Sequence, residues 1–108
     1  MKYAVIVLSI LSLSACAQAP EDVRASYTSP YEYSHLSCGE LATESSRVNS
    51  ALVGASEQQN QTRAGDAAGI IFLAMPIASM AGGNVAPEIA NDKGRLEAIH
   101  YAQRRCKA

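Results

Sequence analysis

Residues 37–59 read SCGELATESSRVNSALVGASEQQ, and residues 87–106 read PEIANDKGRLEAIHYAQRRC. In the first stretch Cys38, Leu41, Ser45, Val48, Leu52, Ala55 and Gln59 fall at alternating steps of three and four. That is the a/d spacing of a helix with one stripe turned toward a partner helix. Ile89, Asp92, Leu96, Ile99, Gln103 and Cys106 repeat the alternation in the second. Ser37 and Glu40 form S-x-x-E, the capping box of a helix start, and Leu36 and Leu41 occupy the two places of a hydrophobic staple. Pro87 suits the first turn of the second helix, where Glu88 meets the positive end of the dipole. Gly94 inside it weakens that helix by about 1 kcal/mol relative to Ala. Arg104, Arg105 and Lys107 complement its negative end.

Working outward, QQNQTR at 58–63 is polar on every side and is expected to overhang as an exposed stretch. From Ala67 to Pro87 there is no charged residue, and the apolar heart of this segment is AAGIIFLAMPIASMA at 67–81. Gly82-Gly83-Asn84 breaks the chain after it. Small residues recur at spacing four, at Gly65 and Gly69 and at Ala74 and Ala78, as where helices approach closely. An exposed patch of Ile70, Ile71, Phe72, Leu73, Met75 and Ile77 would exceed what a solitary soluble domain shows. Two readings stay open: a tip folded onto its own stalk, or a contact with a membrane or a second copy through Ile70, Ile71, Phe72, Leu73 and Ile77.

At the other end of the chain, Met1-Lys2-Tyr3 is a short positive start and Ala4–Leu13 is apolar apart from two serines. Leu13-Ser14-Ala15-Cys16 follows directly. A basic start, a ten-residue apolar run and small residues before a cut are the order of a secretory signal. The run is about half of the ~20 residues that a spanning helix needs. Leu-Ser-Ala-Cys in this place resembles the lipobox of bacterial lipoproteins. The resemblance implies removal of residues 1–15 and a diacylglyceryl thioether on Cys16, because only a thiolate is nucleophilic enough for that transfer. Several acyl chains anchor far better than one. Ala17 stands where an Asp would retain such a protein in the inner membrane, so the outer membrane is expected, with the domain facing the periplasm.

Export bears on the remaining cysteines. Of three in the chain, Cys38 and Cys106 are left besides Cys16, and an even remainder in an oxidising compartment reads as one disulfide. Cys38 opens the first seam and Cys106 closes the second, so the bridge requires antiparallel helices with those ends together. The midpoint of the pair is Phe72, which puts the apolar segment at the far end of the hairpin. Closing a loop of about 70 residues contributes about 4 kcal/mol, a staple that so thin a seam needs. A rival use of His35, Cys38, His100 and Cys106 as metal ligands fits poorly. His100 and Cys106 are six apart on a helix, where ligands want three or four.

The fold expected is therefore all-α: an antiparallel helical hairpin of two to three helices over 37–106 with its tip at 67–81. It follows a signal peptide at 1–15 and a lipidated N-terminus and flexible linker at 16–36. The linker shows neither helical nor strand periodicity, and fully extended it would reach roughly 65 Å. Its tyrosines, Tyr27, Tyr31 and Tyr33, are read as solvent-exposed or packed on the domain, with a membrane-interface role as the alternative.

The chain has 108 residues, with nine Lys and Arg against ten Asp and Glu. That excludes the large nucleotide-binding and barrel folds and a basic field for nucleic acid. The chain carries no phosphate-binding glycine loop and no catalytic triad spacing, so no catalytic residue, cofactor or resident metal is expected. The markers Tyr33-Ser34-His35-Leu36-Ser37-Cys38, Glu44-x-x-Arg47-Val48, the segment around Pro76, Glu88-Ile89-Ala90-x-x-Lys93-Gly94 and Ala98-Ile99 with Cys106 together resemble a group of small lipoproteins of proteobacteria and their phages. The resemblance implies the same hairpin architecture and brings no activity. The expected role is that of a non-enzymatic, membrane-anchored structural or interaction protein of the envelope, partnered by the membrane, an envelope protein or a second copy. A small membrane-active or phage-exclusion factor is the alternative.

Overall fold

A computed structural model describes residues 17–107; the expected signal peptide at 1–15 and the expected lipid attachment site, Cys16, lie outside the described residues. Helix α1 spans Cys38–Leu73, the single turn α2 spans Ile77–Met80, and α3 spans Ala86–Gln103. No strand occurs among the described residues, and α3 packs back along α1 as the second arm of a hairpin. The fold is all-α, as the two seams require. The molecule measures 64 × 25 × 17 Å.

The start of α1 is set by Ser37, whose hydroxyl accepts the Glu40 amide at 3.1 Å. Leu36 packs against the cluster that contains Leu41, completing the staple. The far end of α1 falls at Leu73, one residue past the midpoint of the cysteine pair, with Ala74 in the left-handed region at φ 55° as its cap. At the base, Cys38 and Cys106 are joined as a disulfide with Cα atoms 5.9 Å apart. Their sulfurs are bonded to each other, so they do not serve the metal set considered above.

Two apolar clusters fill the lower half of the seam. Leu41, Val48, Ala98, Ile99, Ala102 and Tyr33 form the one nearer the disulfide. Ala55, Ile89, Val85 and Val23 form the next, with Leu52, Ala86 and Ala90 packed on it. Leu41, Ile89 and Ile99 are fully buried. Each large aliphatic side chain gains roughly 1.5–3 kcal/mol on burial, which makes these residues the main apolar support of the stalk.

Tyr33 and Val23 belong to the segment expected to be a flexible linker, and here the structure corrects the sequence. Residues 17–36 form a strap that runs along the hairpin from its tip end to its base. Ala17, Ala19, Val23 and Tyr33 are buried. Two short 3-10 turns, Pro20–Asp22 and Pro30–Tyr33, interrupt the strap. Its backbone is held by α3 and by the 3-10 turn Arg104–Lys107 that follows it. The Lys93 ammonium donates to the Pro20 and Val23 carbonyls at 2.5 and 2.7 Å, the Ser26 amide donates to the Ala90 carbonyl at 2.9 Å, and the Arg105 guanidinium donates to Ser34 O at 3.0 Å and to Leu36 O. Gly94 explains how the strap lies so close. A Cβ there would stand 1.7 Å from the Ser26 carbonyl oxygen, so the residue that weakens the helix locally makes room for the strap.

Candidate functional site

Above Ala55 the seam of α1 continues at the same spacing through Gln59, Thr62, Asp66 and Gly69, all buried. The polarity of residues 58–63 predicts an overhang; instead one face of that stretch is interior. Buried polar groups must be bonded, and each of these is. The Gln59 amide donates to Gln18 O at 2.9 Å and to Asn84 Oδ1 at 3.1 Å, and its oxygen accepts the Val85 amide at 2.8 Å. The Thr62 hydroxyl donates to the Gly83 carbonyl at 2.6 Å. Asp66 accepts from the Ser79 amide at 2.7 Å, from the Ser79 hydroxyl, and from the Ala17 amide at 3.1 Å. Three polar side chains thus clamp the returning chain and the start of the strap onto α1.

Burial alone would push the Asp66 carboxyl up, but the donated bonds from Ser79, Ala17 and Ala78 outweigh it and hold the group below its ordinary value near 3.8. Asp66 is therefore ionised in the folded protein at neutral pH, with amides and a hydroxyl as its counter-dipoles. At the base, burial raises the Tyr33 phenol, and the neighbouring Arg95 opposes that shift. Glu44 is lowered by its bond to Arg47, an exposed pair one turn apart.

Beyond Asp66 the hairpin ends in the apolar tip. Ile70, Ile71, Phe72, Leu73, Met75, Ile77 and Met80 are all exposed, Ile71 at 76% and Phe72 at 81%. The tip does fold onto its own stalk, but through its small residues. A Cβ on Gly65 would come within 2.7 Å of Ala78 Cβ, and one on Gly69 within 2.3 Å of the Met75 carbonyl oxygen. The glycines of the spacing-four pattern are thereby used within the chain, letting residues 75–78 lie against α1. The large side chains are left outward. No helix among the described residues is long and apolar enough to cross a membrane.

The strap begins at this same end. Ala17, Arg63, Asp66, Ala67, Ile70 and Ile71 line one shallow cleft, and Ala17 directly follows Cys16 in the sequence. The base carries a contrasting surface of Tyr27, Tyr31, Tyr101, Arg104 and Arg105, with the Arg104 guanidinium 4.9 Å above the Tyr101 ring. His35 and His100 are exposed. Comparison with protein-family models, curated proteins and solved structures finds no match.

Proposed function

We propose that this chain is a non-enzymatic lipoprotein of the bacterial envelope. In this reading Cys16 carries the lipid, the outer membrane holds it, and the rigid domain faces the periplasm in a structural or protein-interaction role. The observation that carries the reading is the basic start and apolar run ending in Leu13-Ser14-Ala15-Cys16. The Cys38–Cys106 disulfide supports it, since such bonds persist in oxidising compartments. The resemblance to small lipoproteins of proteobacteria and their phages belongs to the same proposal.

The test is chemical. Wild-type protein expressed with labelled fatty acid carries label and loses residues 1–15. Cys16→Ser leaves an unlabelled, uncut precursor. Label on the variant, or none on the wild type, overturns the reading. A membrane-active or phage-exclusion role is the second reading, favoured by the exposed Ile71 and Phe72. Crosslinking in native envelopes separates the two: a defined protein partner supports the first, and contacts confined to lipid support the second.

A further inference from the structure

We propose that the apolar tip docks into the same bilayer leaflet that holds the acylated Cys16, so that the stalk stands tip-down with its disulfide base pointing away. The inference rests on the lipoprotein reading above and adds a second membrane contact and an orientation. A hairpin whose lipid leaves from a loose linker could place the tip anywhere within the linker's reach. The strap removes that freedom. It fixes Ala17 by burial and by the bond from its amide to Asp66 Oδ2 at 3.1 Å. One trans peptide places the Cα of residue 16 about 3.8 Å from that of Ala17. The bond uses the Cys16–Ala17 amide, which signal cleavage after Ala15 leaves intact.

Asp66 lies one helical turn before Ile70, and Ala17 shares its cleft with Ile70 and Ile71. Acyl chains on residue 16 are therefore tethered one residue from the cleft that Ile70 and Ile71 line, at the end of the hairpin that carries the exposed Phe72 and Leu73. Two apolar elements side by side favour one apolar phase. The segment from Ala67 to Pro87 carries no charge that insertion would have to desolvate. The exposed Arg63 also lines the cleft, one turn of α1 nearer the base than Ala67, and supplies a cation for lipid phosphates. A seat in the interfacial layer, roughly 5–10 Å deep, fits a tip that does not span. A second copy is the less suited occupant, because Gly65 and Gly69 are already filled by Ala78, Met75 and Ile77 of the same chain.

The chain has no Trp, so one substitution supplies a unique fluorophore. Full-length lipidated protein bearing Phe72→Trp is reconstituted into phosphatidylethanolamine–phosphatidylglycerol vesicles with brominated acyl chains, beside a Tyr101→Trp protein as the base control. The expected result is severalfold quenching for Phe72→Trp and none for Tyr101→Trp. Adding Ile71→Asp and Leu73→Asp to the Phe72→Trp protein abolishes the quenching while helix content and the disulfide persist. An unquenched Phe72→Trp protein that floats with the vesicles and carries its lipid mass overturns the docking and leaves the anchor standing. Absence of quenching together with tip-to-tip crosslinks overturns it in favour of a second copy. Absence of the lipid mass overturns the anchored reading itself, and this orientation with it.

Discussion

Between Cys38 and Ala55 the two arms of the hairpin are closed by a disulfide and by Leu41, Val48, Ile89 and Ile99. Between Gln59 and Asp66 the same seam, at the same spacing, is closed by an amide, a hydroxyl and a carboxylate bonded to backbone. The base holds two helices together, for which apolar side chains interdigitating along a stripe are sufficient. The tip end holds a helix against a single turn and extended chain, whose peptide groups need partners once covered. The polar rungs supply those partners, and they also hold the strap at Gln18 and Ala17. One seam thus serves two purposes: packing at the base and fixing of backbone at the end where the chain enters the domain.

The largest expected effect falls at the base. Replacing both Cys38 and Cys106 with Ser removes the loop closure and lowers stability by about 4 kcal/mol, read by denaturant unfolding against the oxidised protein. The rungs at Asp66 keep native hydrogen-exchange protection until the global transition. If protection at the tip end fell first, the two regions would be coupled more tightly than their separate means of closure imply.

A smaller effect belongs to Asp66. Asp66→Ala leaves the Ala17 and Ser79 amides without their acceptor and lowers stability by about 2 kcal/mol, with the loss of exchange protection confined to residues near 17 and 79. Because the folded carboxyl lies below its ordinary value near 3.8, the unfolded chain binds the proton more readily. Its contribution is therefore present above that value and is lost as pH falls through it toward the folded one. Thermal unfolding of the wild type from neutral pH down to values below 3.8 checks this against Asp66→Asn, which lacks that component of the pH dependence. An identical slope in the two proteins would remove the carboxylate from the account.

Gly94 gives the smallest effect and the sharpest sign. In an isolated helix Gly94→Ala would add about 1 kcal/mol. Here the new Cβ meets the Ser26 carbonyl, so the substitution is expected to destabilise by about 1 kcal/mol and to expose Val23. A more stable variant would mean that the strap is not seated on α3.

The hairpin was legible because its signals are periodic and local: the Ser37 cap, the staple of Leu36 and Leu41, the two seams, and cysteines whose midpoint at Phe72 anticipates the end of α1 at Leu73. The exposed apolar tip was readable as one of two alternatives, and the structure shows the fold onto its own stalk, through Gly65 and Gly69, with Ile71 and Phe72 left outward. Thr62 and Asp66 were hidden by their polarity, although the alternation of three and four that reaches Gln59 carries on through both of them. A spacing rule applied without regard to hydropathy would have found them. The strap had no such signal. Its attachments are main-chain groups of Pro20, Val23, Ser26 and Ser34 bonded to Lys93, Ala90 and Arg105 far along the chain, and such contacts leave no period in the sequence.

The central claim is that the strap is pinned at the tip end through the Ala17 amide, and amide hydrogen exchange at Ala17 tests it most directly. In the wild-type protein that amide is expected to exchange orders of magnitude more slowly than in an unfolded peptide, and Asp66→Ala is expected to return it to near the free rate while Leu41 and Ile99 stay protected. Free-rate exchange at Ala17 in the folded wild type would show the start of the strap to be unpinned, and would contradict both the attachment at the tip end and the orientation inferred from it.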